Sequence, residues 1–414
     1  MIGSDGETRG GVGSVRTPKS LKRDNTVPLR ANPSRKEDQA VGETEDMQTS
    51  RSWNAPRAQR GVWRLVMAAV GGLAGVMAGG WGRSGHVQAA EMEAPRPLAA
   101  AHRLEAQPSG QVTVDSRNDE AAGVAELFRF PKPYTFRYTL RLRQELVCCG
   151  VRIYDLTFPS PVTTEVVENN TVHAELFLPP GAGPFPAAIV LDIMQGNALV
   201  SRAKALWLAQ HGVAGLVVHM AYYGPRRPPG SSIRLISTDL PRTLSGVRQT
   251  VLDIRCATAW LASQPVFDSQ RLGLAGTSLG SLIGAIAAAN EPRLQHVCLL
   301  LGGGGLVDAY ADHPLAQRYL PLIEAAGGKA ALRALIAPMD PLTYAPQLRR
   351  KNLLLICAAR DDIVPPRAGR QLWEATGKPR ILWLEATHVG AAAYLLPMFQ
   401  AMTEHLRGDS VRTP

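Results

Sequence analysis

The sequence predicts an α/β fold in which helices cover both faces of a mostly parallel central sheet. Short apolar runs, such as residues 187–193 (AAIVLDI), alternate with longer helical segments along the second half of the chain. These runs are continuously apolar, as expected of strands that helices cover on both faces. Strands that alternate with helices form right-handed βαβ units, which makes neighbouring strands parallel.

The first two predicted strands differ from the rest. Residues 151–158 and 171–178 are predicted to be antiparallel and joined by a polar turn at Asn169-Asn170, which gives the sheet an antiparallel N-terminal edge. Further strands are predicted at 187–193, 214–219, 272–275, 296–301, 353–358 and 380–384. Helices are predicted at 198–211, 240–263, 278–290, 366–376 and 391–407.

The first 90 residues are predicted to lie outside the folded domain. Residues 1–61 are rich in Arg, Lys, Ser, Asn, Gly and Pro, which is typical of a disordered leader. Residues 62–90 combine an apolar, Gly-rich run at 65–81 with small residues at a plausible cleavage site, which predicts a secretory signal peptide and an exported protein. A membrane anchor formed by residues 65–81 is the alternative, so a membrane is a partner only through this uncleaved segment. Met47 offers a start of ordinary length for such a signal, and we hypothesise that residues 1–46 are an over-extended gene start.

Residues 91–123 are rich in Ala, Pro and polar side chains and are predicted to form a linker. The catalytic domain is therefore expected to span residues 124–407. Residues 306–349 lie between two predicted strands and contain several prolines, so we expect them to form a lid-like insertion that bears on specificity.

Charge and cysteine content argue against two classes of function. The net charge is +10, but residues 1–90 hold 13 Lys and Arg against 8 Asp and Glu, and no basic stripe with interleaved aromatics follows. Nucleic acid is therefore not an expected partner. The five cysteines form no C-x-x-C pair and no histidine cluster accompanies them, so no metal and no other cofactor is expected.

Residues 276–280 (GTSLG) lie between the predicted strand at 272–275 and an Ala-rich helix. A nucleophilic serine must stand out of the sheet on a sharp strand-to-helix turn, and glycines two positions before and after it relieve the crowding. The helix N-terminus presents free N–H groups to a developing oxyanion. The pattern predicts Ser278 as the nucleophile, with a capping serine in a tight turn as the alternative.

Two more residues lie where they could complete a catalytic triad. Asp361 follows the strand at 353–358, at the edge where open α/β sheets place their sites, and could accept the Nδ1–H of a histidine. We expect Asp361 to do this while its neighbour Asp362 caps the turn before Pro365. His388 follows the last strand and could act as general base and then general acid. Asp340 is a weaker alternative acid and is expected to cap a helix.

The order Ser278, Asp361, His388 is the order found in α/β-hydrolases. Residues from about 150 to 407 resemble that superfamily, in particular its dienelactone-hydrolase, acetyl-xylan-esterase and prolyl-oligopeptidase-like members, and the acid loop at 361–366 (DDIVPP) carries this likeness. The resemblance implies an α/β-hydrolase fold without a cofactor. It also implies a small-molecule ester or acyl substrate that is hydrolysed through an acyl-enzyme intermediate.

The loop after the strand at 187–193 departs from the family pattern. Many members carry His-Gly there, whereas this chain carries Asp192. Because an oxyanion hole uses backbone N–H groups, we still expect two donors, Leu279 and either Ile193 or Met194.

Four residues that follow the strand at 214–219 could line the substrate pocket: Tyr222, Tyr223, Arg226 and Arg227. An arginine there could pair with an anionic substrate group. A Pro-rich surface loop is the alternative.

The expected activity is carboxylic-ester hydrolysis, and two alternatives stay open. The same triad could serve a serine peptidase of prolyl-oligopeptidase-like type. The protein could also be a catalytically silent hydrolase-fold protein that binds a ligand, an alternative that the unusual Asp192 loop raises. The sequence does not predict the acyl group or the oligomeric state.

Overall fold

A computed structural model of the chain describes residues 98–311 and 320–408. The strands are β1 (Ser109–Val114), β2 (Tyr134–Leu146), β3 (Val151–Pro159), β4 (Thr171–Leu178), β5 (Phe185–Leu191), β6 (Ala214–Val218), β7 (Phe267–Thr277), β8 (Leu294–Leu300), β9 (Asn352–Ala358) and β10 (Arg380–Leu384). The helices are α1 (Leu98–Glu105), α2 (Leu199–Gln210), α3 (Leu240–Ser263), α4 (Leu279–Ala289), α5 (Leu306–Ala309), α6 (Leu320–Ala325), α7 (Lys329–Ile336), α8 (Ala345–Leu348), α9 (Pro366–Ala375) and α10 (Leu395–Arg407). Short 3-10 turns cover Glu126–Phe128, Val167–Asn170, Gly224–Arg226, Ala337–Met339, Pro341–Tyr344 and Gly390–Tyr394.

The strands form one sheet in the order β1-β2-β3-β4-β6-β5-β7-β8-β9-β10. Strands β6, β5, β7, β8, β9 and β10 pair in parallel. Strands β1 to β4 pair antiparallel with one another, and β4 also pairs antiparallel with β6. This confirms the predicted fold class, a mostly parallel sheet with an antiparallel N-terminal edge.

The parallel strands separate two apolar layers. Strand β5 is buried from Pro186 to Leu191. Its alternate side chains belong to different hydrophobic clusters, because successive residues of a strand point to opposite faces. Ile189 and Leu191 cluster with residues of α3 and α4, whereas Ala188 and Val190 cluster with residues of α2 and α10. Helices therefore cover both faces, as predicted.

The structure differs from the linker predicted at 91–123. Helix α1 and strand β1 lie in this range, and β1 pairs with β2 along its whole length. Leu104, Val112 and Val114 are buried in the core. Both elements are short. The apolar residues of β1 are separated by Thr113, and α1 lies in a stretch rich in Ala and Pro, so neither stood out in the composition.

Between β8 and β9, residues 306–311 and 320–349 contain the short helices α5, α6, α7 and α8. The Asp340 carboxylate accepts hydrogen bonds from the N–H groups of Gly305 (2.8 Å), Leu306 (2.7 Å) and Leu342 (2.9 Å). Its lone pairs are thus used in capping two helical turns, as predicted.

The predicted leader and signal peptide, residues 1–61 and 62–90, lie outside the described residues. Within 98–311 and 320–408, no helix combines the length and the apolar composition that crossing a bilayer requires.

Candidate active site

Ser278 occupies a sharp turn between β7 and α4. Its backbone has φ 54° and ψ −116°, and it is one of six described non-glycine residues with a positive φ. The Ser278 N–H donates to Leu300 O at 2.8 Å, which fixes the turn to the neighbouring strand β8. The side chain makes no cap hydrogen bond to α4. The serine is therefore held in an unusual conformation without serving as a helix cap.

The flanking glycines are required by close backbone approach. A Cβ at Gly276 would collide with the carbonyl of Gly280, and a Cβ at Gly280 would collide with the carbonyl of Asp192. The first contact closes the turn around Ser278. The second packs the start of α4 directly against the loop that follows β5.

The three predicted triad residues come together at the carboxyl edge of the parallel strands. His388 Nε2 lies 3.0 Å from Ser278 Oγ, and His388 Nδ1 lies 2.8 Å from Asp361 Oδ2. When Nδ1–H donates to the carboxylate, Nε2 is free to accept the serine proton. The side chains of His388 and Asp361 are 12% and 3% exposed, so water reaches the imidazole but is excluded from the carboxylate.

The two adjacent aspartates divide their work differently from the prediction. Asp361 Oδ1 accepts the N–H groups of Ile363 (2.9 Å) and Val364 (2.7 Å), so the residue that contacts His388 also caps its own turn. Asp362 Oδ1 instead accepts the backbone N–H of His388 at 3.3 Å. Asp361 Oδ1 also lies 3.0 Å from His388 Nδ1, so this oxygen contacts both its own turn and the imidazole, whereas Oδ2 contacts the imidazole at 2.8 Å.

The loop after β5 is shaped by Asp192. Its Oδ2 accepts the N–H of Ala198 at 2.7 Å, across a loop in which Gln195 and Ala198 have positive φ. A Cβ at Gly196 would collide with this carboxylate, so the loop closes tightly around it. Asp192 therefore holds a defined loop at the position where many α/β-hydrolases carry His-Gly.

Leu279, Ile193 and Met194 lie on the two backbone segments that meet at this point. Leu279 is the first residue of α4, and Ile193 and Met194 open the loop after β5. Within the described residues, no hydrogen bond occupies the backbone N–H of any of the three. They remain available as donors to a ligand oxygen.

The four residues expected to line a pocket are divided between two roles. Arg226 is fully buried and donates to Asp253 Oδ2 (2.7 Å), and it also donates to two backbone carbonyls, so its predicted contact with substrate is wrong. Tyr222 is buried in the same apolar cluster as Tyr223, and its contact with substrate stays a prediction. Tyr223 Oη accepts the N–H of Gln195 at 3.0 Å, and Tyr223 and Arg227 both line a cavity. Burial raises the pKa of Tyr223 to about 12, so the phenol stays neutral.

Two cavities adjoin the loop at 192–200, and Ser278 lines neither. The first, of about 260 Å³, is lined by Asp192, His219 and Tyr223 among others. The second, of about 350 Å³, is bordered by Ile193, Leu199 and Val200. Both are lined by residues of the loop that carries the candidate oxyanion donors.

Most of the charge around the first cavity is already paired. Arg202 and His219 lie 2.6 Å and 3.0 Å from Glu175, which Arg143 also contacts. Burial disfavours a charged Glu175, but the hydrogen bonds from these three residues outweigh it and hold its pKa below the ordinary range. The Arg227 side chain makes no hydrogen bond or ion pair with other described residues, which leaves it as a cation available at this cavity.

Lys204 lies beneath the site and was not singled out by the sequence patterns. It is fully buried on α2, on the same helical face as the buried Ser201 and Leu208. A lysine on the apolar face of an amphipathic helix is the signal that could have identified it. In the described part of the chain, no group of three or more His, Cys, Asp or Glu could hold a metal ion.

Residues 246–381 match the prolyl oligopeptidase family. The matched stretch begins in α3 and runs into β10, so it includes Ser278 and Asp361 and ends before His388.

Among curated proteins, the chain is similar to an uncharacterized protein of Mycobacterium tuberculosis, with 28% identity over 229 residues that cover 54% of each chain. It is also similar to acyl-coenzyme A thioesterase 1 of Rattus norvegicus, with 32% identity over 219 residues that cover 51% of this chain and 48% of that one. The chain thus spans about half the length of these curated relatives.

Among solved structures, an acetyl xylan esterase from Paenibacillus sp. R4 is similar with a TM-score of 0.52 and 18% identity, covering 65% of this chain and 88% of that chain. At this identity the likeness establishes a common fold and says nothing about substrate.

Proposed function

We propose that this chain, which has the α/β-hydrolase fold, is a serine hydrolase that cleaves carboxylic esters through an acyl-enzyme intermediate. The observation that carries the proposal is the continuous chain of hydrogen bonds from Ser278 through His388 to Asp361. The thioesterase among the curated relatives supports the same class of acyl hydrolysis.

In the first step Ser278 Oγ attacks the ester carbonyl carbon while His388 Nε2 takes the hydroxyl proton. Asp361 keeps the imidazole in the tautomer that can accept this proton and stabilises the imidazolium that forms. The N–H groups of Leu279 and of Ile193 or Met194 would donate to the oxyanion, aided by the N-terminal end of α4. His388 then protonates the leaving alcohol, and the acyl group stays on Ser278.

In the second step water replaces the alcohol. His388 accepts a proton from the water as it attacks the acyl-enzyme, and it returns that proton to Ser278 Oγ when the carboxylic acid leaves. His388 is partly exposed, so a water molecule can reach Nε2 once the alcohol has departed. No step requires a metal or an organic cofactor.

Thioester hydrolysis is the second candidate, and the similarity to a rat acyl-coenzyme A thioesterase favours it. The same site suits a thioester because the attacked carbonyl and the acyl-enzyme are identical. The leaving thiol is more acidic than an alcohol and needs less help from His388. Hydrolysis of an ester and of a thioester with the same acyl group would therefore depend on the same nucleophile, Ser278.

The test is to compare the protein with its Ser278→Ala and Ser281→Ala variants on p-nitrophenyl esters from acetyl to octanoyl. Ser281 is a matched control because it lies one turn into α4, is buried, and its hydroxyl has no partner within the described residues. We expect Ser278→Ala to lose activity by at least about 10³-fold and Ser281→Ala to retain it. Unchanged turnover in Ser278→Ala would rule out Ser278 as the nucleophile.

Parallel assays separate the remaining alternatives. Acyl-coenzyme A substrates and a prolyl p-nitroanilide measure thioesterase and peptidase activity, and a fluorophosphonate reports a reactive serine without requiring turnover. If the fluorophosphonate labels the wild type but not Ser278→Ala, the protein is supported as a serine hydrolase. The substrate that is turned over fastest then identifies the preferred leaving group. Neither labelling nor turnover would favour the silent ligand-binding protein.

A further inference from the structure

A buried cation that the proposed mechanism does not use lies beneath the candidate nucleophile. Lys204 Nζ donates to Leu191 O and to Thr277 Oγ1, each at 2.9 Å, and the side chain is fully buried. Removing an ammonium from water is costly, so a lysine persists there only where its hydrogen bonds and its surroundings compensate. An apolar residue would fill the same space without this cost.

The two acceptors belong to the two backbone segments that a two-donor oxyanion hole must join. Leu191 ends β5, immediately before the loop that carries Ile193 and Met194. Thr277 ends β7, immediately before Ser278. One ammonium therefore connects the base of the loop to the base of the nucleophile turn.

We propose that Lys204 is a positioning residue for acyl transfer, because its ammonium fixes the loop at 192–198 relative to the Ser278 turn so that donors from both segments converge on one carbonyl oxygen. The inference rests on the proposed serine hydrolase activity. Donors that engage mainly as the oxyanion forms lower the barrier without tightening substrate binding, so their alignment governs kcat more than KM.

The charge on Lys204 is open to titration. Burial lowers its pKa to about 8, while the nearby Asp192 carboxylate opposes this shift. Cys298 also faces it, and burial raises the pKa of that thiol to about 12, so it stays neutral where Lys204 titrates. The other cation on this part of α2, Arg202, is bound to Glu175.

A pH dependence follows from this. As the pH rises through about 8, Lys204 loses its proton, and the neutral amine that remains is a weaker donor to both segments. We expect kcat to decline above that pH.

The experiment compares Lys204→Met with Lys351→Met, using kcat, KM, pH profile and thermal unfolding on a p-nitrophenyl ester. Methionine is unbranched like lysine and one atom shorter, so it keeps most of the length of the side chain without the charge. Lys351 is a matched control because it too is largely buried, donates to two carbonyls, Glu291 O (3.1 Å) and Pro292 O (3.2 Å), and has a pKa lowered by burial to about 8. It precedes β9, at the opposite end of the sheet from Ser278.

We expect Lys204→Met to lower kcat by about 10- to 100-fold with KM nearly unchanged, and to lose the decline of kcat above pH 8. Lys351→Met should keep both kcat and that decline. Thr277→Val, which removes one acceptor while keeping the shape of the side chain, should lower kcat by a smaller factor. If Lys204→Met does not fold, the kcat of Thr277→Val and the pH profile of the wild type together test the positioning role of Lys204.

Two other results would count against the proposal in different ways. If Lys204→Met keeps a wild-type kcat and pH profile while Ser278→Ala is inactive, Lys204 has no positioning role and the hydrolase proposal stands. If the wild type neither turns over substrate nor reacts with a fluorophosphonate, the serine hydrolase proposal itself fails and the role of Lys204 fails with it.

Discussion

Asp361 shows how a single side chain in the candidate site combines structure and chemistry. Its Oδ1 accepts two backbone N–H groups of its own loop and lies 3.0 Å from Nδ1 of His388, and its Oδ2 lies 2.8 Å from the same nitrogen. The two oxygens are chemically equivalent in a carboxylate but not in an amide. Substitution by asparagine can therefore separate the capping role from the contact with the imidazole.

We expect Asp361→Asn to fold normally and to lose kcat by roughly 10⁴-fold. The amide oxygen can keep the bonds to Ile363 and Val364, which leaves the NH₂ group facing His388. To accept from that NH₂, the imidazole must carry its proton on Nε2, where it can no longer take the proton of Ser278. Steady-state kinetics with circular dichroism would measure both effects.

Asp362→Asn is the control for this prediction, because Asp362 is adjacent and, among the described residues, its side chain accepts one hydrogen bond, from the backbone N–H of His388 at 3.3 Å. An asparagine oxygen can accept the same bond. We expect activity within a few-fold of wild type, and equal losses in the two variants would contradict the assigned roles.

At the scale of elements, the site depends on how closely α4 packs against the loop after β5. Gly280 lies in the first turn of α4, and any Cβ there would collide with Asp192 O. Lys204 and Tyr223 contact the same loop from other sides, through Leu191 O and the N–H of Gln195. The loop is thus held by three separate contacts, each from a different element.

We expect Gly280→Ala to destabilise the protein by about 1–3 kcal/mol and to lower kcat, because overpacking against backbone must displace the loop that carries Ile193 and Met194. Thermal unfolding and kinetics on one ester would measure both quantities.

Gly284→Ala is the matched control for this variant. It lies one turn further along α4, where a Cβ would meet the flexible end of the Leu274 side chain at 2.6 Å. Alanine loses less backbone entropy than glycine when the helix forms, and this gain offsets part of any crowding there. If both variants lost kcat equally, the contact between α4 and the loop would not be what positions the site.

At the scale of the whole molecule, residues 98–123 belong to the folded domain. Strand β1 extends the sheet, and α1 packs Leu104 into the core. Asp119 is buried and lies 2.6 Å from the buried guanidinium of Arg255 in α3. These residues therefore contribute both an apolar contact and one of the two carboxylates that pair with an interior arginine.

We expect a chain that starts at residue 91 to unfold at the same temperature as the full chain, and one that starts at residue 124 to be far less stable. The shorter chain loses the burial of Val112 and Val114, about 1.5–3 kcal/mol each. It also removes Asp119 from Arg255, which then keeps Glu291, at 3.5 Å, as its carboxylate partner, so we expect a cost below the about 3–5 kcal/mol of a fully broken buried ion pair. Equal stability of the two chains would show that the segment is dispensable.

The position of the N-terminus in an exported form of the protein would decide whether α1 and β1 are kept. We propose that residues 62–90 direct export and are removed, which would leave α1 and β1 intact. N-terminal sequencing of the protein recovered from an exported fraction should find a start near residue 90. An N-terminus within residues 1–60 in that fraction would favour the membrane anchor.

The sequence by itself determined the fold class, most strand and helix positions and the three residues of the candidate triad. These are local properties: continuous apolar runs mark covered strands, and the requirements of a strand-to-helix turn select glycine on both sides of Ser278. The order of Ser278, Asp361 and His388 then followed from where each lies relative to a strand end. Strand β2 was missed although Phe136, Tyr138 and Leu140 alternate with polar residues along it, and its arginine-rich end obscured the pattern.

Only the tertiary structure decided which polar residues face the site and which are used in the interior. Arg226 and Arg227 are adjacent, yet one is fully buried on Asp253 and the other lines a cavity. The partners of Lys204 were likewise decided by tertiary structure, because they lie on two other elements, β5 and β7. A sequence states which groups can donate or accept, but their partners depend on the packing of distant elements, and burial forces each of them to find one.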